Sequence, residues 1–206
     1  MTQLDHPITR QSFAIIDREL GPHSFTPDAY RVVRRVIHAT ADFEFARLLC
    51  ISPTAIASGT AALQAGAPIV VDVGMVHQGI RRRVQQTFDN PIHVAVTQVE
   101  QANPGQTLTE TGLLHCWQRY PQAIYIIGNA PTALLALCRC LEQNPSVQPA
   151  LVVGVPVGFV AVEEAKAALA ALAVPQILVE GRKGGSATAA AITNALLGIA
   201  WRRTDP

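Results

Sequence analysis

The sequence predicts a three-layer α/β/α fold on a mainly parallel five-stranded sheet, with helices at the N-terminus. Three observations predict it. Short aliphatic runs alternate with helical segments from residue 68 onward. These runs lack polar alternation, as strands covered on both faces do. Each is followed by a Gly- or Pro-containing turn, and alternating strand and helix implies parallel pairing with right-handed crossovers. A chain of 206 residues can bury a sizeable core as one domain, 1–206, and it contains no internal repeat, linker or low-complexity tract.

The elements follow in order. Ser12 to Leu20 reads as a helix closed by Gly21-Pro22, a stop signal. Thr26-Pro27-Asp28 is a cap followed by proline in the first turn, opening a second helix through Val32, Val33, Val36 and Ile37. Ser52-Pro53 opens a third, Ala-rich helix ending near Gly66. The expected strands are Pro68–Val73, Ile92–Val96, Ala123–Ile127, Ala150–Val153 and Pro175–Val179. Helices are expected at Val76–Arg83, Thr109–Tyr120, Pro131–Leu141, Val162–Leu172 and Ser186–Trp201.

Composition narrows the function classes. Hydrophobic residues make up 49% and charged residues 15%, which excludes a disordered chain. The formal charge of +1, with no basic or acidic block, argues against bulk attraction to nucleic acid or anionic lipid. No apolar run approaches the roughly 20 residues of a membrane span, and Met1 to Arg10 lacks the apolar stretch of a signal peptide. Cys50, Cys116, Cys138 and Cys140 match neither a zinc site nor a disulfide framework, so reduced cysteines in a cytoplasmic protein are expected.

Ligands of an open parallel sheet bind beyond the carboxyl ends of the strands. Three such ends carry distinctive loops: Gly128-Asn129-Ala130-Pro131-Thr132, Gly154-Val155-Pro156-Val157-Gly158-Phe159 and Gly181-Arg182-Lys183-Gly184-Gly185-Ser186. The first and third run into helices, whose free N–H groups favour anions. Any one loop is as readily a turn as a site; three on one edge point to binding. Neither Gly-x-Gly-x-x-Gly nor a Walker motif is present, and no Gly-x-Ser-x-Gly elbow supports a serine hydrolase.

Among six histidines, His38 has the most informative context. If its helix continues, Asp42 lies at i+4 on the same face, where a carboxylate orients an imidazole and favours its protonated form. Spacing alone favours a surface histidine beside a solvated aspartate. His77 follows the Val71-Asp72-Val73 strand end, on the same edge as the loops. His6, His23, His93 and His115 stand in no such constellation. Glu163-Glu164 sits at a helix start, where the helix dipole is explanation enough.

These segments together resemble the precorrin-8X methylmutase (precorrin isomerase) family of corrin-ring biosynthesis over nearly the whole chain. The resemblance runs from Ser12-Phe13-Ala14-Ile15-Ile16 and Arg35-Val36-Ile37-His38-Ala39-Thr40-Ala41-Asp42-Phe43 through Ala65-Gly66-Ala67-Pro68-Ile69, Asp72, Met75-Val76 and Gly79. It continues with Ile127-Gly128-Asn129-Ala130-Pro131-Thr132-Ala133-Leu134, Pro156-Val157-Gly158-Phe159-Val160, and Gly181-Arg182 followed by Gly184-Gly185-Ser186-Ala187. Single elements are unspecific; the ordered set is highly specific.

The resemblance implies an isomerase that moves a methyl group within ring C of precorrin-8X or cobalt-precorrin-8, from an α-carbon to the adjacent β-carbon. The product is hydrogenobyrinate or cobyrinate, on the way to cobalamin. No cofactor is implied, and cobalt, where present, arrives in the tetrapyrrole substrate. A homodimer with its active site near the subunit interface is also implied. The family's catalytic histidine falls on His38. The substrate-binding set expected here is Ser12, Thr40, His77, Asn129, Thr132, Arg182, Gly184, Gly185 and Ser186, with Arg182 equally readable as an exposed ion-pairing residue.

Three positions depart from the family pattern. Its Thr-Arg-Ser/Thr segment reads Thr107-Leu108-Thr109 or Thr109-Glu110-Thr111 here, without the arginine. Its Glu-Ser-Lys reads Glu164-Ala165-Lys166, and Gly79 is followed by Ile80-Arg81 where threonine is common at the second position. The missing arginine motivates an alternative, a non-catalytic corrinoid-binding carrier that retains product. A Rossmann-type oxidoreductase would match the alternation alone, but its fingerprint is absent.

Overall fold

The computed structural model describes residues 6–204; Met1–Asp5, part of the segment read for a leader, lie outside them. Six strands form one sheet: β1 (Leu49–Ile51), β2 (Ile69–Val71), β3 (Ile92–Val94), β4 (Ile124–Ile127), β5 (Leu151–Gly154) and β6 (Gln176–Val179), in the order β1-β6-β5-β4-β2-β3. The five expected strands are all present and pair in parallel. The sixth, β1, is a correction: it adds antiparallel to β6 at the edge, with Cys50 opposite Leu178. It follows the four-residue helix α3 (Phe45–Leu48) with no intervening turn residue, so neither length nor punctuation marks it in the sequence.

Alternate strand residues explain the layers. Ile69, Val71, Ile124, Ile126, Leu151, Val153, Ile177 and Val179 join one apolar cluster with α4 (Ala55–Gln64), α5 (Gly74–Gln85) and α9 (Ser186–Arg203). Val70, Tyr125, Ile127, Val152 and Leu178 face the other way, against α6 (Leu108–Arg119), α7 (Pro131–Gln143) and α8 (Val162–Ala170). Both faces are covered, which is why the strands read as unbroken apolar runs.

α2 (Pro27–Thr40) and α1 (Pro7–Leu20) stack outside α9, with Val32, Val33, Val36 and Ile37 buried. α1 begins five residues before the expected Ser12, because the His6 Nδ1 accepts the Ile8 N–H and Pro7 occupies the first turn. Two ion pairs show α2 antiparallel to α9. Arg203 at the end of α9 meets Asp28 at the start of α2 (2.7 Å), and Lys183, just before α9, meets Asp42, just after α2. The carboxyl end of α2 therefore lies at the carboxyl edge of the sheet.

Candidate active site

His38 sits in the last turn of α2, half-buried. Its Nδ1 lies 2.8 Å from the Ser12 Oγ of α1, and its ring meets Phe13 edge-on, with centroids 5.3 Å apart at 72°. A cleft of about 480 Å³ opens here, lined by Ser12, Ile15, Ile37, His38, Ala41 and Phe43 among others. Its walls are mainly apolar, with Gln11 and Glu19 on the rim beside the imidazole and the hydroxyl, so the cleft offers a face for a flat ring system and polar groups at its edge.

The expected His38–Asp42 face is corrected. The helix stops at Thr40, because Ala41 takes a left-handed conformation (φ 55°, ψ 28°), and the i, i+4 register ends with it. Asp42 instead accepts from the Glu44 N–H (2.9 Å) and from Lys183. The group on the His38 Nδ1 is the Ser12 hydroxyl. Thr40 closes the helix: its hydroxyl donates to the Val36 carbonyl (2.9 Å) and accepts from the Asp42 N–H (3.3 Å).

The glycine-bearing loops meet at the same edge. Asp72, fully buried, accepts the N–H groups of Val73 (2.9 Å), Asn129 (2.6 Å) and Ala130 (2.9 Å). Burial pushes its carboxyl above the usual range, against the pull of those donors. Asn129 is held outward and exposed. The Thr132 hydroxyl lies 2.9 Å from that of Thr107, which also caps α6 by accepting the Glu110 N–H. Thr107 is thus the threonine of the arginine-less segment that touches this loop. A Cβ on Gly128 would lie 2.9 Å from both Ser186 and Val76, so this loop abuts the starts of α9 and α5.

The other two loops are bonded to each other. Gly185 donates to the Val155 carbonyl (2.8 Å), and Gly158 donates to that of Arg182 (3.2 Å). A Cβ on Gly184 would lie 2.3 Å from the Val155 oxygen, so only glycine fits. Lys183 bridges Asp42 and Glu44, holding both carboxyls below the usual range and rising itself. Arg182 pairs with Glu163 at 3.1 Å and lies 5.6 Å over the Phe159 ring. Both partners of that pair are 60% exposed, so it is the ordinary surface pairing and contributes little.

The structure thus brings Ser12 and His38 into contact and ties the loop of Arg182, Gly184, Gly185 and Ser186 to the end of α2 through Lys183. The Asn129–Thr132 loop packs against Ser186. His77 is placed elsewhere, in a groove of about 350 Å³ with Arg81, Asp89, Pro91 and Ile92. Sequence reasoning missed Lys183 as the bridge, Asp72 as the anchor and Phe43 as a wall. Asp72 had a signal, a lone acid ending an aliphatic run; the Lys183 bridge spans 141 residues and had none. Among the described residues, no group of three or more His, Cys, Asp or Glu could hold a metal ion.

The family model for precorrin-8X methylmutase matches residues 7–199. The chain is 52% identical to the cobalt-precorrin-8 methylmutase of Synechocystis sp., over 98% of this chain and 99% of that protein. It is 40% identical to the precorrin-8X methylmutase of Pseudomonas aeruginosa, over 92% and 93%. The crystal structure of precorrin-8X methyl mutase from Thermus thermophilus superposes with a TM-score of 0.88 at 43% identity, covering 95% of this chain and 96% of that one. The chain belongs to the precorrin-8X methylmutase family.

Proposed function

We propose that this protein is an isomerase of cobalamin biosynthesis. It moves a methyl group from an α-carbon to the adjacent β-carbon of ring C in cobalt-precorrin-8 or precorrin-8X, giving cobyrinate or hydrogenobyrinate. The observation that carries the reading is the Ser12–His38 contact in an open, apolar-walled cleft. The carbon–carbon bond to the α-carbon breaks as the bond to the β-carbon forms, and no atom is gained or lost. A proton delivered by His38 to the conjugated ring redistributes its electrons and eases the shift; the ring releases a proton afterwards. Holding the macrocycle in one tautomer and stabilising that transition state are what the protein must supply.

The cobalt-containing substrate is favoured, since the relative at 52% identity is named for it and the one at 40% for the metal-free form. Cobalt enters as part of the substrate, and the reaction needs no cofactor. Ser12, Asn129, Thr132, Arg182, Gly184, Gly185 and Ser186 serve the ring and its carboxylates. A homodimer closing over the site is supported by large apolar side chains exposed at this edge: Phe159 and Val160 on a loop, both at 84%, and Met75 in the first turn of α5 at 72%. The four cysteines are unpaired, in keeping with a cytoplasmic setting, and no described helix is long and apolar enough to cross a membrane.

The test is incubation of the purified protein with each substrate, following the visible spectrum of the macrocycle. Conversion supports the isomerase, and the faster substrate identifies the pathway form. Unchanged spectra from a folded protein would remove the reading. Tight product binding without conversion would support the carrier alternative, which the missing arginine beside Thr107 motivates. Light scattering on the same sample tests the dimer.

A further inference from the structure

We propose that Lys166 is a positioning residue of the substrate loop: it draws the carbonyls of Gly181 and Lys183 inward, so that this segment meets substrate carboxylates with N–H groups. The inference rests on the isomerase reading and deepens it.

Lys166 lies on α8 and is only 3% exposed. Its Nζ donates to the Gly181 carbonyl at 2.7 Å and to the Lys183 carbonyl at 2.6 Å. The two carbonyls between and after them are also taken from within the chain. The Arg182 oxygen accepts from the Gly158 N–H at 3.2 Å, and the Gly184 oxygen accepts from the Thr188 hydroxyl at 3.0 Å. Four consecutive carbonyls, 181 through 184, therefore accept inside the protein.

Glycines make the arrangement possible. Gly181, Gly184 and Gly185 have φ of +67°, +149° and +107°, values that residues with a Cβ rarely adopt. A free backbone carbonyl facing a carboxylate repels it, whereas an N–H group attracts it. Committing the carbonyls of 181–184 inward leaves N–H groups as the backbone chemistry these residues can offer a ligand, directly before the N-terminus of α9, the Gly185 N–H being spent on the Val155 carbonyl. A buried ammonium is costly unless its donors are met, and burial pulls Lys166 down to about 8, with Glu163 on the same helix opposing. An apolar side chain would fill the space without that cost but would release both carbonyls.

The experiment compares wild type with Lys166→Met and with the milder Lys166→Gln, which keeps a donor for one carbonyl. Turnover of cobalt-precorrin-8 and equilibrium binding of the product cobyrinate are measured on protein whose folding is checked by thermal unfolding. KM and the product Kd are expected to rise together by about tenfold in Lys166→Met, which loses both Nζ bonds, and less in Lys166→Gln, with kcat within about threefold, as weaker binding of substrate and product alike predicts. A purely structural role would lower unfolding temperature and leave both constants unchanged in the folded fraction, which overturns the inference. A fall in kcat with unchanged product binding overturns it too. Wild-type protein that neither converts substrate nor binds product would instead remove the isomerase reading, and this inference with it.

Discussion

The Ser12 Oγ lies 2.8 Å from the His38 Nδ1, joining α1 to the last turn of α2 across 26 residues of chain. A hydroxyl can donate or accept, so Ser12 serves the imidazole in either neutral tautomer and in the protonated form. The edge-on Phe13 ring fixes the plane of the imidazole from a second direction.

Replacing His38 by alanine removes the proton donor while leaving the cleft walls. Turnover of cobalt-precorrin-8 should fall by about 10²–10⁴-fold, the usual range for a general acid, while cobyrinate still binds. Single-turnover spectra and a product titration check both halves; near-normal turnover would remove the proton-transfer role.

Ser12→Ala should have a smaller effect of the same kind. Losing a hydrogen bond to a charged imidazole costs about 1.5–3 kcal/mol, so kcat should fall by roughly 10–100-fold. An unchanged kcat with a raised KM would make Ser12 a substrate contact only.

The parallel sheet was legible because both faces are covered: Val70 and Val71 are buried on opposite sides, so no polar alternation interrupts the run. The three loops were legible through their glycines. The His38 environment was not. Its helix ends at Ala41 in a left-handed conformation that sequence associates with glycine, so the condition for a shared His38–Asp42 face, a helix continuing to Asp42, is not met. Ser12 was reached by family resemblance; spacing cannot reveal that α1 folds back along α2. His77 lies at a strand end as read, yet its position on α5 carries it into another groove. Lys166 was read only as part of a motif, since its value lies in two carbonyls that are invisible in the sequence.

Asp72 should be the most stability-sensitive polar residue near the site. Asp72→Asn presents an amide to the buried N–H groups of Val73, Asn129 and Ala130. Each donor left unpaired costs about 1–3 kcal/mol. Even one such loss should lower the unfolding temperature by several degrees, and the Asn129 loop should exchange its amide hydrogens faster. Exchange confined to the wild-type rate would contradict the anchoring role.

Two glycines of one loop should respond to very different degrees to the same change. Gly184→Ala places a Cβ 2.3 Å from the Val155 oxygen, so the loops must separate. Gly181→Ala meets nothing within 4 Å and bears only left-handed strain, about 1–2 kcal/mol. Product affinity should drop sharply in the first and little in the second, as a paired titration would show.

Lys166 also predicts an opposition between stability and affinity as pH rises. Burial holds its ammonium at about 8 in the folded protein, against 10.5 for an ordinary lysine. Between those values the unfolded chain binds the proton that the folded one has released, so this group adds stability as pH climbs from 8 to 10.5. The same deprotonation leaves two N–H donors but takes the charge from the bonds to the Gly181 and Lys183 carbonyls, so product affinity should weaken over the same window. Glu163, Arg182 and Lys183 lie nearby, and their charges are shared by the Lys166→Gln variant, so the difference between the two proteins isolates Lys166. Denaturant unfolding and cobyrinate titration across pH 7–10 should show both slopes in wild type and neither in the difference-corrected variant. Wild-type and variant curves that run parallel in both measurements would contradict the assignment.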